Sequence, residues 1–529
     1  MSRYLFRHHT MAQLKYPIGI QSFPEIRTKG YLYVDKTEFI HTLVSKGKYY
    51  FLSRPRRFGK SLLLSTLKAF FEGRRDLFEG LAISKHEDLT WDSHPVILID
   101  LNAKNYSSRQ SLEERISTQL SEYEDIYGRR FTDPSIEGRF LAIIKQAHEK
   151  TGSQVAVLID EYDKPVLDSF HDNDTSSTYR DVLRGFYSVL KSVDDDICFA
   201  LLTGITKFGH LNVFSGLNNL NDISLDNIYA PICGITEAEL TGTLSEGLHR
   251  LADNMQKTYS ETLRLLKRNY DGYHFSEKSP DIYNPFSILC CLDKEVIKPF
   301  WFLTGTPSFL IDLLRKRHYD LSQIDGAEYV GSKLYGVDIA ASDPIPVLYQ
   351  SGYLTIKGYD PRFDSYMLGF PNLEVREGFL SSLLPFYTGL TNDDRPFNLM
   401  NFVKEIEKGQ PEQFMTRLQS MFASIPYEME MENERNFQNV MYMIFTLMGV
   451  YTNVEYHTSN GRIDVIVMTA AFIYIIEIKI DSTPEVGISQ IDDKGYATPF
   501  KSDSRTVFKI GADFSTQTRT LTGWIIEKQ

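Results

Sequence analysis

Phe51-Leu-Ser-Arg-Pro-Arg-Arg-Phe-Gly-Lys-Ser61 decides how this chain is read. An apolar β-type run at 49–52 feeds a short loop that ends in Gly59-Lys60-Ser61, and an apolar helical pattern runs from Leu62 to Phe71. Strand, loop ending Gly-Lys-Ser, helix is the context a phosphate-binding loop requires. Backbone N–H groups at a helix start attract anions, a lysine there reaches the β- and γ-phosphates, and the serine ligates Mg²⁺. The candidate nucleotide contacts are therefore Arg57, Phe58, Gly59, Lys60, Ser61 and Leu62. The usual pattern opens with a further glycine, and that position is Arg54 here.

Downstream, Val155-Ala-Val-Leu-Ile-Asp160-Glu161 is an apolar strand ending in two acids, about 100 residues after the loop. Asp160 at the strand tip is placed to hold Mg²⁺ through water, and Glu161 to orient or activate the attacking water. A third strand ends at Thr203-Gly204, where Thr203 either senses the γ-phosphate or serves ordinary turn chemistry. Runs near 50, 97, 157 and 201 alternate with helical patterns, which predicts an α/β layer with a mostly parallel sheet. Upstream, Asp35-Lys36-Thr37 reads either as a helix cap or as the edge of the nucleotide site.

The alternation fades after about 225. Helices and aromatic turns dominate, and a helix followed by two strands near 348–370 has the pattern of a winged helix. The last 100 residues start afresh with an amphipathic helix at 434–449. Two β-type runs come next, carrying Arg462-Ile-Asp464 and Glu477-Ile-Lys479. Glu477 and Lys479 are two apart and share a strand face. Charges set in apolar strands are costly unless paired, and a divalent metal supplies the pairing. Asp464 and Glu477 would bind Mg²⁺ or Mn²⁺, and Lys479 would orient water or stabilise charge on a phosphate. A salt-bridged hairpin is the alternative. Gln490, Lys494 and Tyr496 fall on a later helical stretch, and Glu434 could supply another carboxylate.

The bulk composition fits this reading. The chain has 529 residues, 42% hydrophobic and 24% charged, as expected of two to four globular domains. A net charge of −12 excludes a basic nucleic-acid coat. Four cysteines without C-x-x-C spacing predict reduced thiols and a cytoplasmic protein. The apolar stretch 465–476 is too short for a membrane span. Residues 1–15 differ in character from the rest of the chain, and Met11 is a candidate start.

Together these motifs resemble a bacterial family, abundant in gut Bacteroidetes, of predicted AAA-type ATPases with a C-terminal PD-(D/E)xK nuclease domain. The resemblance rests on Tyr33-Val-Asp-Lys-Thr37, Arg54-Pro-Arg-Arg-Phe-Gly-Lys-Ser61, Leu158-Ile-Asp-Glu-Tyr-Asp163, Thr203-Gly-Ile-Thr206, Tyr283-Asn-Pro-Phe286, Gly461-Arg-Ile-Asp464, Glu477-Ile-Lys479 and Lys494-Gly-Tyr496. It implies that Arg54 is a family trait, part of a basic, proline-stiffened loop that replaces glycine's freedom with extra positive charge near the phosphates. It also implies an ATPase core over 16–225, a helical lid and winged-helix-like region over 226–400, and a nuclease-like domain over 401–529. It implies ATP binding and a nuclease-type domain, without a named substrate or pathway. The first reading is an ATP-driven nuclease acting on DNA, in defence or in a mobile element, with homo-oligomers an option. The alternative is a nucleotide-dependent switch whose nuclease-like domain only binds nucleic acid or a partner.

Overall fold

The protein is described from a computed structural model covering residues 15–102, 106–169, 172–207, 219–302, 308–316, 318–334, 343–389, 394–426, 434–449, 453–459 and 462–529. Met11 and Gly461 lie outside the described residues. The chain divides into two compact units. One comprises Met1–Thr304 and Glu328–Glu374, the other Gly305–Ala327 and Val375–Gln529. Among the described residues no helix is long and apolar enough to cross a membrane.

In the first unit, α1 (Thr37–Lys46) leads to β1 (Tyr49–Ser53), the phosphate-loop candidate and α2 (Lys60–Phe71). Next come β2 (Val96–Asp100), α3 (Arg109–Tyr127), α4 (Ile136–Thr151), β3 (Val155–Asp160), α5 (Asn173–Ser192), β4 (Ile197–Gly204) and β5 (Asn221–Asp222). The five strands form one parallel sheet in the order β2-β3-β4-β1-β5. Every residue of β3 is buried, as the continuous apolar run requires of a strand covered on both faces. The strands of this sheet point their carboxyl ends the same way, so the ends of β1, β3 and β4 gather Lys60, Asp160 and Thr203. The helix starts two residues before the apolar pattern does, because Gly59 at φ +96° turns the loop directly into Lys60.

Later in the same unit come α6 (Pro285–Lys294), whose first turn is capped by Asn284, and α7 (Ile345–Gln350), then the antiparallel pair β6 (Thr355–Asp360) and β7 (Ser365–Gly369). The helix and the two strands are thus present, but the sheet has three strands, Ala327–Val330 lying beside β7. Glu374 is buried beside α6, accepting from Trp301 N and Ser287 Oγ, each at 2.7 Å. Burial outweighs these bonds and raises its carboxyl to about 7. A carboxyl raised on folding contributes stability fully below its unfolded value near 4.3 and loses it as pH rises through the folded value. Stability should therefore fall between about pH 4.5 and 7 by a component that Glu374→Gln removes, read by urea unfolding of both proteins across that range.

In the second unit, helices Asp394–Glu407 and Pro411–Ala423 precede α8 (Glu434–Met448). Then come β8 (Asn453–Ser459), β9 (Arg462–Met468), β10 (Phe472–Ile480), α9 (Pro484–Asp493), β11 (Thr506–Ser515) and β12 (Thr520–Lys528). Their sheet runs β8-β9-β10-β11-β12, parallel only between β10 and β11. Ile473 and Ile475 on one face of β10 pack with Ile491 of α9. On the opposite face, Phe514 of β11 stacks on Phe437 of α8. The helix before Lys494 is shorter than the sequence pattern suggests. It ends at Asp493, Lys494 is its cap, and Gly495 at φ +64° turns the chain away, so Tyr496 lies beyond it.

Candidate active sites in two units

The loop of the first unit opens onto a cavity of about 530 Å³. Its polar end is built from Arg56 to Leu62, with Glu161 and Lys164, and its apolar end includes Ile18, Ile20, Leu32, Val34, Phe286 and Leu289. The size and the two-ended chemistry suit a nucleotide, with phosphates on the α2 start and a base against the apolar wall. The apolar wall was not legible in the sequence. It is assembled from segments more than 200 residues apart, and single apolar residues carry no signal of their own.

Lys60 is buried, its Nζ donating to the Arg54 and Pro55 carbonyls at 3.0 and 3.3 Å and lying 3.5 Å from Glu161 Oε1. Ser61 Oγ donates to Asp160 Oδ2 at 2.5 Å. Thr203, fully buried, donates to Asp160 Oδ1 at 2.7 Å, and neither of the two lines the cavity, whereas Ser61 does. Asp160 thus collects a hydroxyl on each oxygen, and the Ser61 and Asp160 oxygens are a hard donor pair that fits Mg²⁺. Glu161 is held at φ +52° and Arg57 at φ +68°, conformations that cost a non-glycine residue roughly 1–3 kcal/mol and concentrate at functional loops. Asp163 joins this strand end to the next: its Oδ2 accepts from Ile205 N (3.0 Å), Thr206 N (2.6 Å) and Thr206 Oγ1 (2.7 Å). Burial, and then the Glu161 charge, raise its carboxyl to about 6.

The structure corrects the expectation that Arg54 adds positive charge near the phosphates. Its side chain is turned away, 1% exposed, donating to the carbonyls of Ser53 and Ser224 at 2.8 Å and of Tyr229 at 3.1 Å. Phe275 lies 4.2 Å from its guanidinium carbon. A planar fork of five donors can satisfy several carbonyls at once, which a glycine at this position could not do. Arg57 lies over the Phe286 ring at 4.5 Å, and Phe58 is buried against Tyr273 and Phe275. Neither Asp35 nor Thr37 is the N-cap of α1: that residue is Lys36, without a side-chain cap bond, and Asp35 Oδ1 instead accepts from Thr37 N at 2.9 Å and from Thr37 Oγ1 at 2.7 Å.

In the second unit, β9 and β10 pair Asp464 directly with Glu477. Glu477 is 1% exposed and Lys479 is 7% exposed. Lys479 Nζ donates to Glu477 Oε1 at 2.6 Å and to Gln490 Oε1. One face of β10 is therefore apolar where Ile491 covers it and charged two residues further on. Glu477 Oε2 is buried without a hydrogen-bond donor, and Asp464 stands opposite. Burial, and then the neighbouring Asp464, raise the Glu477 carboxyl to about 8. Two facing carboxylates with a spare buried oxygen form a donor set that fits a divalent cation. Glu434 lies on α8 with Oε1 accepting from Gln438 Nε2 at 2.8 Å.

Gln490 reaches Lys479 because α9 sits close on the sheet. A Cβ on Gly511, the β11 neighbour of Glu477, would lie 2.3 Å from Pro484 O and 2.7 Å from Ile488 N. A Cβ on Gly487 would lie 2.9 Å from Glu477 O. Gly511→Ala should lift α9 and cost about 1–3 kcal/mol, read as a lowered Tm. It should also loosen the Gln490–Lys479 contact.

A family model described as "Predicted AAA-ATPase" matches residues 17–214, and one described as "PD-(D/E)XK nuclease superfamily" matches residues 432–524. A protein of Azotobacter chroococcum mcd 1, described as "Uncharacterized protein in vnfD 5'region", is 35% identical over 535 residues, covering 98% of this chain and 99% of that protein. Among solved structures, the Aeropyrum pernix ORC1 protein in complex with DNA is similar at a TM-score of 0.25 and 12% identity, over 68% of this chain and 96% of that one. Spanning the relative from end to end, with both family models matched in order, the chain belongs to the predicted AAA-ATPases that carry a C-terminal PD-(D/E)XK nuclease superfamily domain.

Proposed function

We propose that the protein binds and hydrolyses ATP in its first unit and cleaves DNA phosphodiester bonds in its second. The observation that carries the nuclease half is the facing Asp464/Glu477 pair, Asp464 half-buried and Glu477 buried, with the buried Lys479 bonded to Glu477. A binding module has no need to bury such a set, whose desolvation is repaid only when a cation or proton joins it.

In the first unit, backbone N–H groups from Phe58 to Leu62 cradle the phosphates, and Lys60 leaves its loop carbonyls to meet them. Ser61 and Asp160 would hold Mg²⁺, with Thr203 fixing Asp160. Glu161, released from Lys60, takes a proton from the attacking water. In the second unit, Asp464 and Glu477 would hold Mg²⁺ or Mn²⁺, which when bound would supply a Lewis acid. Lys479, oriented by Gln490, orients the attacking water or stabilises charge on the scissile phosphate. The three-part division at about 225 and 400 accompanies this reading, with nucleotide turnover governing access of the nuclease portion to DNA.

A second reading, a nucleotide-dependent switch that grips nucleic acid or a partner without cutting, draws support from the net charge of −12, which weakens non-specific DNA affinity. Cleavage assays separate the two. Linear, circular and single-stranded DNA are given Mg²⁺ or Mn²⁺, with and without ATP. Cleavage that Asp464→Ala abolishes is the expected result. No cleavage of any substrate, or cleavage that survives in Asp464→Ala, would sink the nuclease reading.

A further inference from the structure

We propose that Glu38, His41 and His86, with Asp88 beside them, form a transition-metal site, best suited to Zn²⁺, that clips α1 to the segment after Ala82–Lys85. Glu38 and His41 are three apart on α1 and so share a helix face. One ligand atom from each of Glu38, His41 and His86 lies within 4.8 Å of the others. His86 Nε2 is 2.9 Å from Glu38 Oε2, and His41 Nε2 is 3.2 Å from Asp88 Oδ2. His86 Nδ1 is 3.9 Å from Asp88 Oδ1. A tetrahedral ion with bonds of about 2.0–2.1 Å separates its ligands by roughly 3.3 Å. Rotation of partly exposed side chains closes that gap.

Charge and donor type favour a metal over a plain ion-pair cluster. The two imidazole rings are stacked, with centroids 3.7 Å apart and planes 15° apart. Protonating both would bring like charges together, whereas two neutral imidazoles and two carboxylates around a divalent ion sum to zero. Imidazole nitrogen with carboxylate oxygen selects zinc and its neighbours over Mg²⁺ or Ca²⁺.

The backbone is also held ready. Asp35 Oδ2 accepts from Ala82 N at 2.7 Å, while its Oδ1 takes Thr37 N and Thr37 Oγ1. Thr37 Oγ1 in turn accepts from Ile83 N at 3.1 Å. These bonds stitch the first turn of α1 to the start of the Ala82–Lys85 turn, so both ligand pairs are positioned before any ion arrives. This gives Asp35-Lys36-Thr37 a purpose the nucleotide cavity does not account for. It also places the clip next to Lys36 and Ile40, which line that cavity.

The test is calorimetric titration of chelator-stripped full-length protein with ZnCl₂, and then visible spectroscopy with Co²⁺ in its place. We expect one equivalent bound in the wild type and in Asp464→Asn, which disables the other carboxylate site. His41→Gln and His86→Gln should weaken that event at least about 100-fold, and Asp88→Asn about 10- to 100-fold. Should a histidine variant fail to fold, the exposed Glu38→Gln gives the same reading. The absence of a zinc event, or one that survives in His86→Gln and Glu38→Gln alike, overturns the proposal.

Discussion

Glu477→Gln should lower metal-dependent DNA cleavage by roughly 10³-fold or more while leaving the metal-free protein at least as stable as the wild type at pH 8. The loss comes from chemistry. The amide keeps the shape of the carboxyl but gives up the charge that a divalent cation needs, in a strand position that is 1% exposed and offers no substitute ligand. The stability comes from linkage. In the metal-free state, burial and the facing Asp464 raise Glu477 to about 8. Its contribution to folding is fully present below the unfolded value near 4.3 and is lost as pH rises through about 8. Glutamine carries no such dependence. With chelator present, the stability of the variant relative to wild type should therefore increase from pH 5 to pH 8. Urea denaturation at several pH values measures the trend, and gel assays of the same preparations measure cleavage. A variant that is inactive and also destabilised at pH 8 would mean that Glu477 serves packing alone.

Lys60→Ala and Glu161→Gln should separate binding from turnover at the other site. Lys60 bonds two loop carbonyls, pairs with Glu161 at 3.5 Å and, on the proposed function, meets the phosphates. Its removal should weaken ATP binding by about 100-fold or more, since a charge-assisted contact to phosphate in a buried setting is worth several kcal/mol. Glu161→Gln keeps the side-chain shape and one acceptor oxygen at the cavity but cannot take a proton. Nucleotide affinity should stay within about threefold of wild type, whereas hydrolysis falls by roughly 10²–10⁴. Fluorescent-nucleotide titration and phosphate release together read both quantities. Unchanged hydrolysis in both variants would remove the ATPase site from this loop.

Lys60 and Glu161 neutralise one another, and the ammonium group folds back onto its own loop. Phosphates would draw Lys60 away and free Glu161 in one movement. The strained backbone at Glu161 holds that carboxylate at the cavity wall, while the adjoining Asp163 fastens the strand end to Ile205 and Thr206.

Much of this was readable from residues. Gly59-Lys60-Ser61 and Asp160-Glu161 each come after an apolar run, and such runs become parallel strands whose tips converge. Asp464, Glu477 and Lys479 interrupt apolar strands, and the pairing register sets the two carboxylates directly opposite each other. Local pattern carries such features because strand alternation and helix starts are decided within a few residues. The extent of the last helix was not readable in the same way. Gln490, Lys494 and Tyr496 share a plausible spacing, yet Gly495 ends the helix and only Gln490 meets Lys479.

The sequence by itself determined the two chemical sets, the strand and helix rhythm around the loop, and the order of the two domains along the chain. Only the tertiary structure decided where Arg54 points, what lines the cavity, and that Asp35 ties α1 to Ala82. Each of these depends on groups brought together across long stretches of chain. Arg54 spends its donors on carbonyls of Ser224 and Tyr229, about 170 residues away, because an unpaired buried carbonyl costs more than leaving the guanidinium in water gains. In the phosphate loop, the strand, the glycine turn and the lysine are local necessities, while the direction of Arg54 is set by its surroundings.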